Sequence, residues 1–227
     1  MAEPVPLTIR RDWTRPSREI LDAFRGVPTG FVVDALGRFA AIDHRIKAVW
    51  EGPAFVGAAL PIWSTARDNL APYAALKFAQ AGDVAMVATG EYDKASVIGD
   101  LVVGMMRNVG IVAAVTDGLV RDIPGIREVG IPVYARGVSP NSPFKHGPGT
   151  IGLPISIGGV AVEAGDVVVG DSDGVVVVPS WRVDEAVREL AAVRAKEADT
   201  DAFVRGGGTS PAWLDGALSG ERVRYLD

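Results

Sequence analysis

The chain contains no cysteine. Disulfides, thiolate zinc sites and a cysteine nucleophile are thereby excluded, and the composition agrees with a reducing, cytoplasmic setting. Histidine is nearly as scarce. His44 and His146 are far apart and neither has an Asp/Ser frame around it, which removes a Ser-His-Asp triad and leaves His146 as a solvated side chain in a Pro/Gly-rich stretch. Basic charge is short as well: 23 Lys and Arg against 28 Asp and Glu give a net charge of −5 and a pI near 5.1. A nucleic-acid or membrane-surface binder wants a clustered basic face, so neither partner is expected. No apolar run approaches the ~18 residues of a membrane span. The start, Met1-Ala2-Glu3-Pro4-Val5-Pro6, lacks the basic-then-apolar order of a secretory signal. Internal repeats and low-complexity blocks are not evident.

What is present is enough apolar material for a core. A chain of 227 residues with 48% hydrophobic content suits one α/β domain over 1–227, with a helical flank at 1–50 and an extension at 206–227. Ser17 is placed to cap a helix carrying Ile20, Leu21 and Phe24, and Thr29 a second one containing Asp34. Apolar, β-branched runs predict strands over 57–63, 84–88, 111–116 and 131–136, with a helix over 70–80 between the first two. Residues 137–149, rich in Pro, Ser and Gly, read as a loop. Beyond it, short strands at 151–157, 160–163, 167–169 and 175–178 read as an antiparallel meander, followed by a helix capped by Ser180. Gly206-Gly207-Gly208 breaks that helix and is a linker rather than a phosphate loop, because no Lys-Ser/Thr follows. The tail beyond it, with Trp213, Leu214, Leu218, Tyr225 and Leu226, is too apolar to stand free and is expected to pack on its own or a neighbouring subunit.

One constellation carries chemistry. Asp100 sits near the start of a helix predicted to run to Asn108, with Gly110 placed for its C-terminus. After the strand at 111–116, the turn Asp117-Gly118 leaves Arg121 and Asp122 just past the strand's carboxyl end. Helix starts and strand ends are where α/β proteins collect ligands, so one helix-plus-strand excursion returns Asp100 toward the Arg-Asp pair. Asp122 suits a hard divalent cation, which prefers oxygen ligands and keeps several waters. Arg121 suits a carboxylate or enolate, and Asp100 suits a water in the cation's shell. The competing reading is a surface Arg-Asp pair and an ordinary helix-start carboxylate, which spacing alone favours.

Other features rank lower. Asp171-Ser172-Asp173-Gly174 begins like a calcium loop, but Arg182 stands where the bidentate Glu is required, and a hairpin turn is the better reading. Lys94, beside Glu91 and Asp93, keeps a high pKa and is a poor Schiff-base lysine. Asp34, Asp68 and Asn69 are read as helix caps.

Several stretches resemble one family. Thr29-Gly30-Phe31-Val32-Val33-Asp34-Ala35-Leu36, Asp68-Asn69, Asp117-Gly118-Leu119-Val120-Arg121-Asp122, Gly165-Asp166 and the run from Asp171 to Pro179 are similar to motifs of the RraA-like family. That family includes 4-hydroxy-4-methyl-2-oxoglutarate aldolases (class II pyruvate aldolases), oxaloacetate decarboxylases and regulators of ribonuclease E. The resemblance is fullest over 82–179; Glu163-Ala164-Gly165-Asp166 departs from the usual Pro-Gly-Asp. It implies a three-layer β/β/α swivelling fold like that of phosphohistidine domains. It implies Asp122 as the ligand of Mg2+, Mn2+ or another divalent cation, Arg121 on the pyruvoyl oxygen, Asp100 on a water of the cation, and the backbone amides of Gly99, Asp100, Leu101 and Val102 on the carboxylate of a small 2-oxo acid. It also implies a homotrimer or dimer of trimers, with Glu197 of a neighbour as a candidate to complete the site. The activity implied is aldol cleavage, with possible oxaloacetate decarboxylation; the alternative is a non-catalytic ribonuclease regulator.

Overall fold

A computed structural model describes residues 6–219 and 223–226. The first five residues, on which the absence of a signal was read, and 220–222 and 227 of the extension lie outside the described residues. Twenty-one strands and helices follow in order: β1 (Leu7–Ile9), α1 (Arg18–Phe24), α2 (Thr29–Ala35), β2 (Lys47–Ala48), β3 (Phe55–Ser64), α3 (Leu70–Ala75), β4 (Asp83–Ala88), β5 (Ser96–Ile98), α4 (Asp100–Asn108), β6 (Ala113–Thr116), β7 (Leu119–Val120), α5 (Ile123–Val129), β8 (Val133–Ala135), β9 (Gly137–Val138), β10 (Gly149–Ile151), β11 (Ile155–Ile157), β12 (Val160–Val162), β13 (Val167–Gly170), β14 (Val175–Val178), α6 (Val183–Arg205) and α7 (Trp213–Leu218).

The main sheet runs β1-β10-β3-β4-β6-β8-β2, and β3 also carries β13 and through it β14. Its centre, β3-β4-β6-β8, is parallel. Strands buried on both faces need not alternate, which is why Val84-Ala85-Met86-Val87-Ala88 is apolar throughout. Its odd and even positions still face different cores. Ala85 and Val87 join Val102, Val103 and Met106 of α4 and Ile126 of α5, while Val84, Met86 and Ala88 pack with Ile155, Ile157 and Val162 of the β11-β12 hairpin. A third cluster sets Phe24, Val32, Ala186 and Leu190 of the helical flank and α6 against Val167, Val169, Val176 and Val178.

The arrangement that matters is repeated. From β4 onward the chain goes strand, short strand, helix twice, as β4-β5-α4 and β6-β7-α5, then begins a third time with β8-β9. The short strands form their own parallel sheet, β5-β7-β9, over the helix-bearing face of the main sheet. This is the β/β/α layering of the swivelling fold. The repeat is geometric, and no residue identities mark it in the sequence.

Several local expectations change. The strand at 151–157 is two strands, because Gly152, at φ +72°, turns the chain after β10. No single meander results: β10 and β13 both pair with β3, and β11-β12 is a separate hairpin. The helix at 70–80 is confined to Leu70–Ala75. Ser17 caps α1, its Oγ accepting the Ile20 N–H at 3.3 Å. Thr29 is no cap but the first residue of α2, and Asp171 takes its N–H and its hydroxyl at 2.8 Å each. Asp34 lies within α2. Ser180 starts a short 3-10 turn ahead of α6 and makes no side-chain cap there. α6 ends at Arg205, before the glycines. Beyond it the described part of the tail stays largely exposed, Trp213 at 71% and Tyr225 at 74%. No helix among the described residues is long and apolar enough to cross a membrane.

Candidate active site

The site follows from how two parallel strands end. β5 and β7 are parallel neighbours, Ser96 opposite Leu119 and Ile98 opposite Val120 with a register shift between the two pairs, and each passes within two residues into a helix. Gly99-Asp100 and Arg121-Asp122 are therefore set side by side. The Arg-Asp pair lies past β7, not at the carboxyl end of β6 as the sequence suggested; the two-residue strand β7 intervenes. Asp117 builds that crossing. It is buried, and its carboxylate accepts the N–H (2.6 Å) and hydroxyl (2.9 Å) of Thr89 and the N–H of Glu91 (3.1 Å), tying the turn after β6 to the turn after β4.

A cavity of about 140 Å³ gathers Gly99, Asp100, Leu101, Val102, Arg121 and Asp122. All the residues that the family resemblance gave a site role line this one space, except Glu197, which lies on α6 and is absent from the wall in its own chain. The volume is below the ~300–1,000 Å³ of pockets for drug-sized ligands, so it suits a small molecule. Asp122 occupies the cap position of α5 in the left-handed region, φ 61°, ψ 44°. Arg121 donates from Nε to Asp122 Oδ2 at 3.1 Å and from Nη1 to Ser142 Oγ at 2.7 Å, while its Nη2 has no partner among the described residues. The fork is thus aimed and still has donors to spend. At the start of α4, Gly99 supplies an extended cap with no side chain, so the first amides lack a side-chain cap. Of the four amides expected to receive a carboxylate, that of Leu101 is already held by Asp100 Oδ1 at 2.7 Å.

Two glycines make the room. A Cβ on Gly99 would stand 2.6 Å from Asp122 Oδ2, and one on Gly125 would stand 2.7 Å from Asp100 Cβ. Gly125, in the first turn of α5, carried no signal in the sequence. The loop at 139–148 was equally unrecognised as part of the site: Ser142, Pro143 and Lys145 form one wall with Asn69 and Tyr73. That wall is pinned by Asp68, whose carboxylate accepts the Leu70 N–H at 2.8 Å and the His146 N–H at 2.6 Å, and by Asn69 N–H on Phe144 O at 2.9 Å. Asp68 is a cap that also holds the loop. Asn69 occupies the cap position of α3, yet its side chain makes no cap bond. Lys94 is outside the cavity, and its ion pair with Asp93 at 2.9 Å raises its pKa, the wrong direction for a Schiff-base amine.

No group of three or more His, Asp or Glu side chains among the described residues could cage a metal. A hard cation that keeps most of its waters asks for less, one or two carboxylates, and Asp122 and Asp100 on one small cavity fit that demand.

A swivelling β/β/α domain with two strand-to-helix turns around one small cavity is the class that fold and site define. The Aldolase/RraA family profile matches residues 20–177, and the chain belongs to this RraA-like family. A protein of Halalkalibacterium halodurans, provisionally named a 4-hydroxy-4-methyl-2-oxoglutarate aldolase, is 35% identical over 188 residues, covering 82% of this chain and 88% of the relative. Among solved structures, Streptomyces coelicolor RraAS2, described as an unusual member of the RNase ES inhibitor RraA family, superposes with a TM-score of 0.75 at 28% identity, covering 84% of this chain and 99% of that one. An uncharacterized protein from Pseudomonas syringae pv. tomato shares the fold, with a TM-score of 0.75 at 24% identity over 87% of this chain and 97% of that one.

Proposed function

We propose that this chain is a divalent-cation-dependent aldolase. It would cleave 4-hydroxy-2-oxo diacids such as 4-hydroxy-4-methyl-2-oxoglutarate to pyruvate and a second 2-oxo acid, and decarboxylate oxaloacetate at the same site. The observation that carries the reading is the partly spent Arg121 fork sharing one small cavity with Asp122, Asp100 and the start of α4. Asp122, with Asp100 nearby, would hold Mg2+ or Mn2+, which when bound supplies a positive charge that polarises the 2-oxo group.

The rest is done by the chain. Amides at the start of α4 receive the substrate's C1 carboxylate, an anion at the positive end of a helix. Asp100, through a water, accepts the proton of the C4 hydroxyl. The C3–C4 bond then breaks, C4 becomes the carbonyl of the departing 2-oxo acid, and the electron pair moves to the C2 oxygen. Arg121 Nη2 stabilises that developing enolate, and Ser142 and Asp122 keep the guanidinium aimed. Protonation at C3 releases pyruvate. Loss of CO2 from oxaloacetate produces the same enolate, which is why one site serves both reactions.

The assembly proposed is a trimer, or two stacked trimers. Leu101 (71% exposed) and Met105 form an uncovered apolar stripe on α4 beside the cavity, and the segment beyond α6 exposes Trp213, Leu218, Tyr225 and Leu226. A second copy would cover both and could bring Glu197 to the site. The rival reading, a non-catalytic ribonuclease regulator, is supported by kinship with the Streptomyces coelicolor protein, but it gives no task to Arg121 and its two carboxylates. Pyruvate release from a panel of 4-hydroxy-2-oxo acids and oxaloacetate, with Mg2+ and with excess EDTA, tests the proposal. Release should require the metal and vanish in Asp122→Asn; equal rates in EDTA, or unchanged turnover in that variant, would sink it.

A further inference from the structure

A groove of about 810 Å³ runs between the 10–20 segment and the start of α6, and it shares no residue with the cavity at Arg121. Arg10, Trp13, Arg15, Ile20, Trp181 and Val183 are part of its wall. The groove is shaped by its own chain. Arg15 donates to both carboxylate oxygens of buried Asp83, at 2.7 and 2.8 Å, with its guanidinium 4.3 Å from the centroid of the Trp13 ring. On the other side, Asp166 accepts the Ser180 N–H at 2.8 Å. Two groups of this wall are left without a partner. Trp181 is 82% exposed, a large apolar surface of the kind that marks a docking site. Trp13 Nε1 is a buried donor with no acceptor among the described residues, although a buried indole N–H ordinarily finds one.

The chain also carries a segment of matching chemistry. In α7, Trp213 and Ala217 lie one turn apart, as do Leu214 and Leu218, so four apolar residues share one side of the helix, and Trp213 and Leu218 are exposed. The charges are complementary too. Residues 10–18 hold Arg10, Arg11, Arg15 and Arg18 against Asp12, whereas 197–218 hold Glu197, Asp199, Asp201 and Asp215 against Arg205. Within one chain the two are kept apart. α6 starts at the groove, with Val183, and its 23 residues carry the chain ~34 Å onward at about 1.5 Å per residue; none of them beyond Leu190 is buried. Most of the groove's wall and all of the tail lie outside residues 20–177 matched by the family profile, so the pair belongs to this chain rather than to the shared frame.

We infer that α7 docks in the Trp13–Trp181 groove of a second copy of this chain, an amphipathic helix laid in a groove with its acidic approach facing the arginines of the 10–18 segment. A second copy is the occupant because groove and tail are supplied one for one by the same chain, and α6 points each tail away from its own groove. The docking does not depend on the chemistry at Arg121. Copies that join in this way while releasing no pyruvate would uphold it and refute the aldolase.

Photo-crosslinking in the full chain tests it. Trp213→p-benzoylphenylalanine puts a photoreactive aromatic in place of an exposed one. Irradiation should join chains to one another on a denaturing gel, and peptide mass spectrometry should place the bond within residues 10–20 or 180–184. The yield should fall severalfold in Trp181→Asp and in Arg10→Glu/Arg11→Glu, whose side chains are exposed, so the fold is not at stake. A bond formed within one chain would show that the tail returns to its own body, and a bond to any other surface would place it elsewhere; either overturns the docking. So would the absence of a bond, or a yield undiminished in both variants.

Discussion

The turn from β5 into α4 and the turn from β7 into α5 are the same element built twice, and they are used in opposite ways. At the first, a glycine in extended conformation takes the cap position and the carboxylate follows as Asp100, inside the helix. At the second, the carboxylate is itself the cap, Asp122 at φ 61°, and the glycine comes later, as Gly125. Each glycine leaves the space that the other turn's carboxylate fills. The two turns are therefore complementary in shape around one cavity. Placing two carboxylates so close is tolerable because each sits at a helix start, where the backbone dipoles favour negative charge, and because Arg121 lies alongside.

The largest effect should come from the residue that serves both turns. Arg121→Ala is expected to lower kcat by on the order of a hundredfold or more, the scale of losing one preorganised oxyanion donor. Arg121→Lys should restore little, because a point charge cannot hold Asp122, Ser142 and ligand together. A rise in KM with kcat intact would reduce Arg121 to uniform binding.

Next in size is the reciprocity itself. Gly125→Ala should displace Asp100 and cut pyruvate release tenfold or more, while Gly99→Ala should do the same through Asp122. The two effects should be strongly non-additive with the carboxylates they displace: Gly125→Ala/Asp100→Ala ought to be no slower than Asp100→Ala alone. Additive losses across that cycle would mean that the glycines serve something other than clearance.

Asp122→Gly provides a third, smaller contrast. A non-glycine residue at positive φ carries a strain that glycine avoids, so this variant should lose activity yet gain about 0.5 kcal/mol of stability, seen as roughly a 2 °C rise in Tm. A fall in Tm would mean that the Arg121-Asp122 contact outweighs the backbone strain. The smallest effect is expected on the opposite face of the main sheet. Burial pushes the Tyr134 phenol up to about 12 from an ordinary 10.0, and its hydroxyl donates to Asp171 O. The fold favours the neutral phenol, so this contribution to stability is complete below pH 10 and is lost as the pH rises toward 12. Denaturant midpoints should decline over that window, and Tyr134→Phe should flatten the decline without touching pyruvate release at neutral pH. A variant as alkali-sensitive as the parent would refute the assignment.

Much of this was legible in local pattern. The apolar run of β4 and the start and end of α4 lie close to where composition and spacing place them, because they depend on residues within a few positions of one another. β7 was not legible, since a two-residue strand has no period and exists only because β5 and β9 flank it. Asn69 was misread for a related reason. An Asn ahead of a short helix is ordinarily a cap, but here Asp68 supplies the carboxylate that takes the Leu70 amide and leaves Asn69 unused. The 139–148 loop shows only Pro, Ser and Gly in sequence, and its role as a wall comes from hydrogen bonds to residues about 45 to 78 positions away.

The sequence by itself determined that Asp100 lies near the start of a helix, that Arg121 and Asp122 follow a turn, and that this spacing together with the family motifs points to small-acid chemistry. Only the tertiary structure decided that the three residues share one cavity, that Gly99 and Gly125 clear it, and that Asn69 and Lys145 close its far side. Helix starts and turns are fixed by short-range sterics and hydrogen bonds, whereas the registry of β5 against β7 and the approach of a distant loop are set by packing between segments that carry no local mark of one another.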